Sequence, residues 1–143
     1  MNYSLILPPN FQKVHLPGLN PWLAALRSNW RQGKNWLCVQ ETDGIHAYCC
    51  LGVLAKLEER PESPRNGLPL PIRFDGNAAG LTEAIRQYDE LSEYGTLPFD
   101  VQVDYTSLDG NKAQSKALSE LNDAGFSFIE IADILEACFT HID

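Results

Sequence analysis

The sequence predicts one α+β domain: a small antiparallel sheet packed by four or five helices, with a C-terminal helical hairpin. Three observations predict it. Apolar residues recur at helical spacing in 20–33, 50–59 and 81–94, and they alternate at period two in 36–41 and 99–105. The stretch ALSELNDAGFSFIEIADILE, residues 117–136, reads as two helices with a stop and a cap between them. A chain of 143 residues is one domain's worth, and at that length roughly two-thirds of the unfolded surface can be buried.

Residues 1–19 carry three prolines and little periodicity, which predicts an extended N-terminal arm. Asn20 as N-cap and Pro21 at the first helical position then open a helix with Trp22, Leu23, Leu26 and Trp30 on its inner side. Trp36 to Glu41 predicts a short strand. Thr42-Asp43-Gly44 marks a turn, and Ile45 to Tyr48 pairs back. From Cys49 a second helix begins, with Cys50, Val53, Leu54 and Leu57 at i, i+3, i+4 and i+7. Gly52 inside it lowers helix propensity by about 1 kcal/mol against Ala, which is tolerable where another backbone packs closely.

Residues 60–71 contain four prolines and predict a long exposed loop. Ile72 to Phe74 is a brief strand. A helix follows over 81–94, with Thr82 as cap, Ile85, Tyr88 and Leu91 inward, and Gly95 as the stop. Phe99 to Tyr105 is a strand with Phe99, Val101, Val103 and Tyr105 on one face and Asp100, Gln102 and Asp104 on the other. The sheet is thus assembled from 36–48, 72–74 and 99–105. The hairpin begins with a helix over Lys112–Asp123, stopped by Gly125. Ser127 and Glu130 then form a capping box, and Phe126 and Ile131 occupy the staple positions around it. Phe128, Ile131, Ala132, Leu135, Cys138 and Phe139 make one stripe.

The hairpin has the rhythm of a helix-turn-helix, but its second helix carries Glu130, Asp133 and Glu136 and no Lys or Arg. A major-groove reader needs basic or amide side chains there, so DNA binding through this unit is not expected. The net charge of −8 is unevenly placed: residues 1–60 hold six Lys or Arg against four Asp or Glu, residues 61–143 five against fifteen. That balance disfavours polyanions and suits basic protein surfaces. No run approaches a membrane span and the N-terminus lacks a signal-peptide pattern, so a cytoplasmic chain is expected.

The segment CCLGVL, residues 49–54, together with LNDAGFSFIEIADILE, residues 121–136, resembles a group of small proteins from tailed phages and prophages. They share a "YCCLGVL" segment and an "LND-x-G-x-SF-x-EIA" ending. The resemblance implies a setting, a phage gene product inside a bacterial host, and no catalytic residue.

Candidate sites follow from residue type. Arg27, Arg31 and Lys34 are the one basic cluster, and with Trp30 and Trp36 they could hold a nucleotide-like ligand by charge and stacking. Asp89, Glu90, Glu93, Asp100 and Asp104 are candidate contacts for a host protein. Cys49, at a helix N-terminus with His46 near in sequence, is a weak candidate nucleophile. Buried structural thiols are the favoured reading of Cys38, Cys49, Cys50 and Cys138. No metal is expected, because the cysteines lack the two separated pairs of a zinc site, and no cofactor motif occurs. Asn122-Asp123 at the hairpin tip reads as turn chemistry. The expected function is that of a non-enzymatic binding protein that inhibits a host protein, a defence component among the candidates. A small-molecule sponge and a cysteine enzyme are the alternatives.

Overall fold

The computed structural model describes residues 1–58, 62–64, 70–74, 80–81 and 92–141. In chain order its elements are β1 (Tyr3–Ile6), β2 (Val14–Leu16), α1 (Leu19–Leu26), β3 (Cys38–Gln40), β4 (His46–Tyr48), α2 (Cys50–Leu57), β5 (Glu62–Pro64), β6 (Leu70–Phe74), β7 (Gln102–Thr106), β8 (Lys112–Ser115), α3 (Leu118–Ala124), α4 (Phe128–Cys138) and β9 (Phe139–His141). The α+β class and the C-terminal helix pair are as expected. The predicted helix over 81–94 lies outside the described residues, apart from its ends.

The strands do not form one sheet. Strands 38–40, 46–48 and 70–74 join β5 in the order β4-β3-β6-β5, whereas β7 belongs to a separate sheet, β1-β7-β8. Both are antiparallel, and a parallel pair, β2-β9, ties the two ends of the chain together. The N-terminal segment is therefore extended but docked, with Tyr3 opposite Tyr105 and Ile6 opposite Gln102. The proline-rich stretch is not wholly loop: Glu62–Pro64 pairs with Ile72–Phe74, and β5 is an edge strand, where proline is tolerated.

Local differences have local causes. Helix α1 starts two residues early, with Gly18 as N-cap and no side-chain cap. Asn20 instead offers its backbone N–H to His141 Nδ1 at 3.3 Å. The first helical bond runs from Trp22 N–H to the Gly18 carbonyl, so Pro21 still falls where no N–H is required. The helix ends at Leu26, before Trp30. Residues Lys112–Ser115 form a strand rather than the start of a helix, because the turn closed by Ser107 N–H to Asn111 C=O (2.8 Å) folds them back onto β7. Phe99 is 88% exposed. A turn from Pro98 to Val101, with Asp100 at φ 62°, resets the alternation before β7 begins.

The hairpin matches its sequence signals. Gly125 adopts φ 110°, the left-handed stop. Ser127 Oγ accepts from Glu130 N–H at 3.1 Å, and Glu130 Oε1 accepts from Ser127 N–H at 3.0 Å. Phe126 is fully buried against Tyr3 and Tyr105, ring centroids 5.2 and 5.3 Å away, which seats the hairpin tip under the three-stranded sheet. Trp22, also buried, donates Nε1–H to the Cys50 carbonyl at 2.9 Å and joins α1 to α2.

Candidate functional site

Strands β1, β7 and β8 place side chains on alternate faces. Leu5, Val103, Tyr105 and Ser115 turn inward. Ser4, Asp104 and Gln114 form a row across the outer face. Gln102 lies on one side of that row, Thr106 and Lys112 on the other. This outer face is an open hollow of about 590 Å³. Gln102 Nε2 donates to Asp104 Oδ1 at 2.9 Å. Phe99 before β7 and Leu108 after it are 88% and 80% exposed. The surface thus offers amides, hydroxyls, the Asp104 carboxylate and the Lys112 ammonium. Of the sequence candidates only Asp104 lies in it. The period-two run Asp100, Gln102, Asp104 is its one sequence signal, and it does not extend to Ser4, Thr106 or Gln114.

The proposed ligand anchors do not converge. Arg27 donates to Glu136 at 2.9 Å and Asp133 at 3.0 Å on α4, and Arg31 to Asp43 at 2.8 Å in the β3–β4 turn, with Glu41 at 3.5 Å. The two guanidiniums face different elements and are held by the chain's own carboxylates. Trp30 packs edge-on against Tyr48 at 4.9 Å and Trp36 is half-buried, while Lys34 is exposed. Asp89 and Glu90 lie outside the described residues. Glu93 is half-buried, its carbonyl accepting from Leu81 N–H at 2.8 Å. Asp100 sits in the turn, so it does not share a strand face with Asp104.

The cysteines are all free and buried. Cys49 is the N-cap of α2, its Sγ accepting from Gly52 N–H at 3.4 Å. Burial pushes its thiol up to about 11, the opposite of nucleophile activation. Burial likewise raises Cys38 to about 12 and Cys138 to about 11, and Cys50 well above the ordinary value. His46 stands on β4 with its ring 6.3 Å from that of Tyr48. Among the described residues no three His, Cys, Asp or Glu are grouped to hold a metal ion. We expect a thiol reagent at pH 8 to leave all four cysteines unmodified in the folded protein and to label all four in denaturant. Because these thiols lie above their unfolded value, stability is intact below about pH 9 and falls as pH rises further. Rapid labelling of Cys49 in the native state would restore it as a nucleophile.

Asn122 and Asp123 serve the structure. Asn122 is fully buried and bonded to Gln32, Gly33 and Cys50, and Asp123 Oδ1 accepts from Asn35 N–H at 2.9 Å. Gln32 carried no sequence signal.

Residues 19–139 match the model of a family described as a domain of unknown function, DUF8296. The chain belongs to that family. The match runs from α1 into β9, so it includes β7 and β8 and leaves β1 and β2 before it. Searches of curated proteins and of solved structures found no match. No helix among the described residues is long and apolar enough to cross a membrane.

Proposed function

We propose that the protein is a phage-encoded accessory protein that acts inside the bacterial host by binding, as a non-enzymatic inhibitor of a host protein. A host defence component is the target class that fits the phage resemblance. The observation that carries the binding reading is the outer face of β1-β7-β8. Its hollow of about 590 Å³ is lined by polar side chains of all three strands, and the turns before and after β7 leave Phe99 and Leu108, large apolar side chains, almost wholly in water. A polar sheet face of this size, with large apolar side chains exposed in the turns on either side of its central strand, can seat a protein partner. The other two readings have less support. The sponge would need Arg27 and Arg31 released from their carboxylates. The cysteine enzyme would need a thiolate where burial opposes one.

The test is capture from host lysate with immobilised wild type and with Phe99→Ser/Leu108→Ser. Both side chains are exposed, so the variant should keep its circular dichroism spectrum and thermal midpoint. A host protein held stoichiometrically by wild type should be lost by about ten-fold or more in the variant. Equal retention by both, or no retained protein, would count against this reading. A small added mass in native mass spectrometry would favour the sponge.

A further inference from the structure

The partner's mode of binding is legible in the edge of β1. We infer that this edge accepts an extended segment of the partner as a fourth strand, and that the segment carries a basic residue on its outer face. This rests on the binding reading above and names the chemistry of the partner.

The first support is the backbone. Thr106 N–H donates to the Asn2 carbonyl at 3.0 Å, which makes 2 and 106 a hydrogen-bonded pair. With the β1–β7 register, Ser4 and Ile6 then point their N–H and C=O groups at β7, and Tyr3 and Leu5 point theirs away. β1 is an edge strand, and these outward groups have no partner among the described residues.

The second support is the lack of protection. Edge strands are normally blunted by charge or proline along the strand. The opposite edge, β8, has Lys112 at its start and Lys116 just past its end. By contrast, residues 2–12 contain no charged side chain, and the prolines come only after the strand, at 8 and 9. Ile6 and Leu7 are each 42% exposed.

The third support is charge complementarity. Asp104 is exposed directly across from Ser4, and Asp100 and Asp109 are exposed beyond the two ends of β7. None of the three pairs with a cation among the described residues. A strand added beyond β1 would lie about 10 Å from β7, two strand spacings. A Lys or Arg placed opposite Ser4 could reach over that small side chain toward Asp104. Apolar residues on the segment's other face would cover the half-exposed sides of Tyr3 and Leu5. A second copy fits less well, because its β1 would bring no cation to these carboxylates.

The probe is a fluorescein-labelled ten-residue peptide alternating Val and Lys, with the same peptide N-methylated at alternate residues as control. Both have the same charge, but only the first can complete a strand ladder. The unmodified peptide should bind about ten-fold tighter, and binding should weaken with salt and with Asp104→Asn. Amide exchange at Tyr3 and Leu5 should slow on binding, while Lys112 and Gln114 stay unchanged. Ile6→Lys, a change at an exposed position, should weaken binding with the fold intact. Equal binding of the two peptides would overturn the inference, as would protection at β8 instead. Concentration-dependent protection of Tyr3 and Leu5 without peptide would also overturn it, in favour of a second copy. A host protein captured through Phe99 and Leu108 while the Tyr3 and Leu5 amides stay unprotected would sink this mode and leave the binding reading standing.

Discussion

Gly52→Ala should cost more than about 3 kcal/mol and leave little folded protein at 37 °C. The reason is a backbone contact. A Cβ on Gly52 would lie 1.6 Å from the Leu37 carbonyl oxygen and 2.5 Å from its carbon. Neither is the end of a flexible side chain, so the helix or the β3 entry must move. Moving Leu37 is expensive, because its carbonyl also accepts from Cys49 N–H at 3.1 Å, one residue before α2. Leu37 and the first residues of α2 are all buried. Retreat of the helix would therefore open a gap in the core while relieving the clash. The control is Gly44→Ala. Gly44 also has a special role, φ 83° in the β3–β4 turn, but nothing lies within 4 Å of its added Cβ. That change should cost only about 1 kcal/mol, the ordinary strain of a left-handed residue. Urea denaturation of the three proteins measures both values. If Gly52→Ala unfolds within about 1 kcal/mol of wild type, α2 does not lie against Leu37 as described.

The residues that could be read in advance are those whose reasons are local. Ser127, Glu130 and Gly125 act within four positions of one another, and their cap and stop appear as the spacing implies. Gly52 raised the question of close packing by being a glycine in an apolar helix. What could not be read depends on distant partners. The segment Lys-Ala-Gln-Ser at 112–115 has no strand signature, and it becomes a strand because β7 offers an edge. β1 looks like a loose arm until Tyr3 meets Tyr105, about a hundred residues away. The basic cluster failed for a related reason. Spacing alone puts Arg27 and Arg31 on one helical face, but α1 ends at Leu26 and the turn sends them apart. Arg27's carboxylate partners on α4 follow from tertiary packing, which no local pattern encodes. Of the outer sheet face, the strand alternation showed Asp104, but the row Ser4–Asp104–Gln114 exists only after three strands are aligned.

Asn122→Ala should destabilise the protein by about 3 kcal/mol, far beyond the loss of a few side-chain atoms. Its Oδ1 accepts from Cys50 N–H at 3.1 Å and from Gln32 Nε2 at 3.0 Å, and its Nδ2 donates to the Gly33 carbonyl at 2.8 Å. Gln32 in turn donates to the Phe126 carbonyl at 2.7 Å and accepts from Phe128 N–H at 3.1 Å. One buried amide thus caps α2, while its neighbour serves both sides of the α3–α4 turn. Removing Asn122 strands the Cys50 N–H in the buried core. Each buried group left unpaired costs about 1–3 kcal/mol. The two amides should also be coupled. Gln32→Ala alone should cost about 2 kcal/mol, and the double variant should lose about 1 kcal/mol less than the two single losses together. Strict additivity would mean that the amides stabilise their segments separately. A coupled result would mean that the Gln32–Gly33 loop, the start of α2 and the hairpin tip are held as one unit. In that case Phe126, fixed by the same turn, positions the hairpin under Tyr3 and Tyr105 and so supports the sheet whose outer face is the candidate contact surface. Asn122→Ala should then weaken partner capture as well as stability, even at temperatures where the protein remains folded. Undiminished capture by a folded Asn122→Ala protein would separate the clamp from the surface.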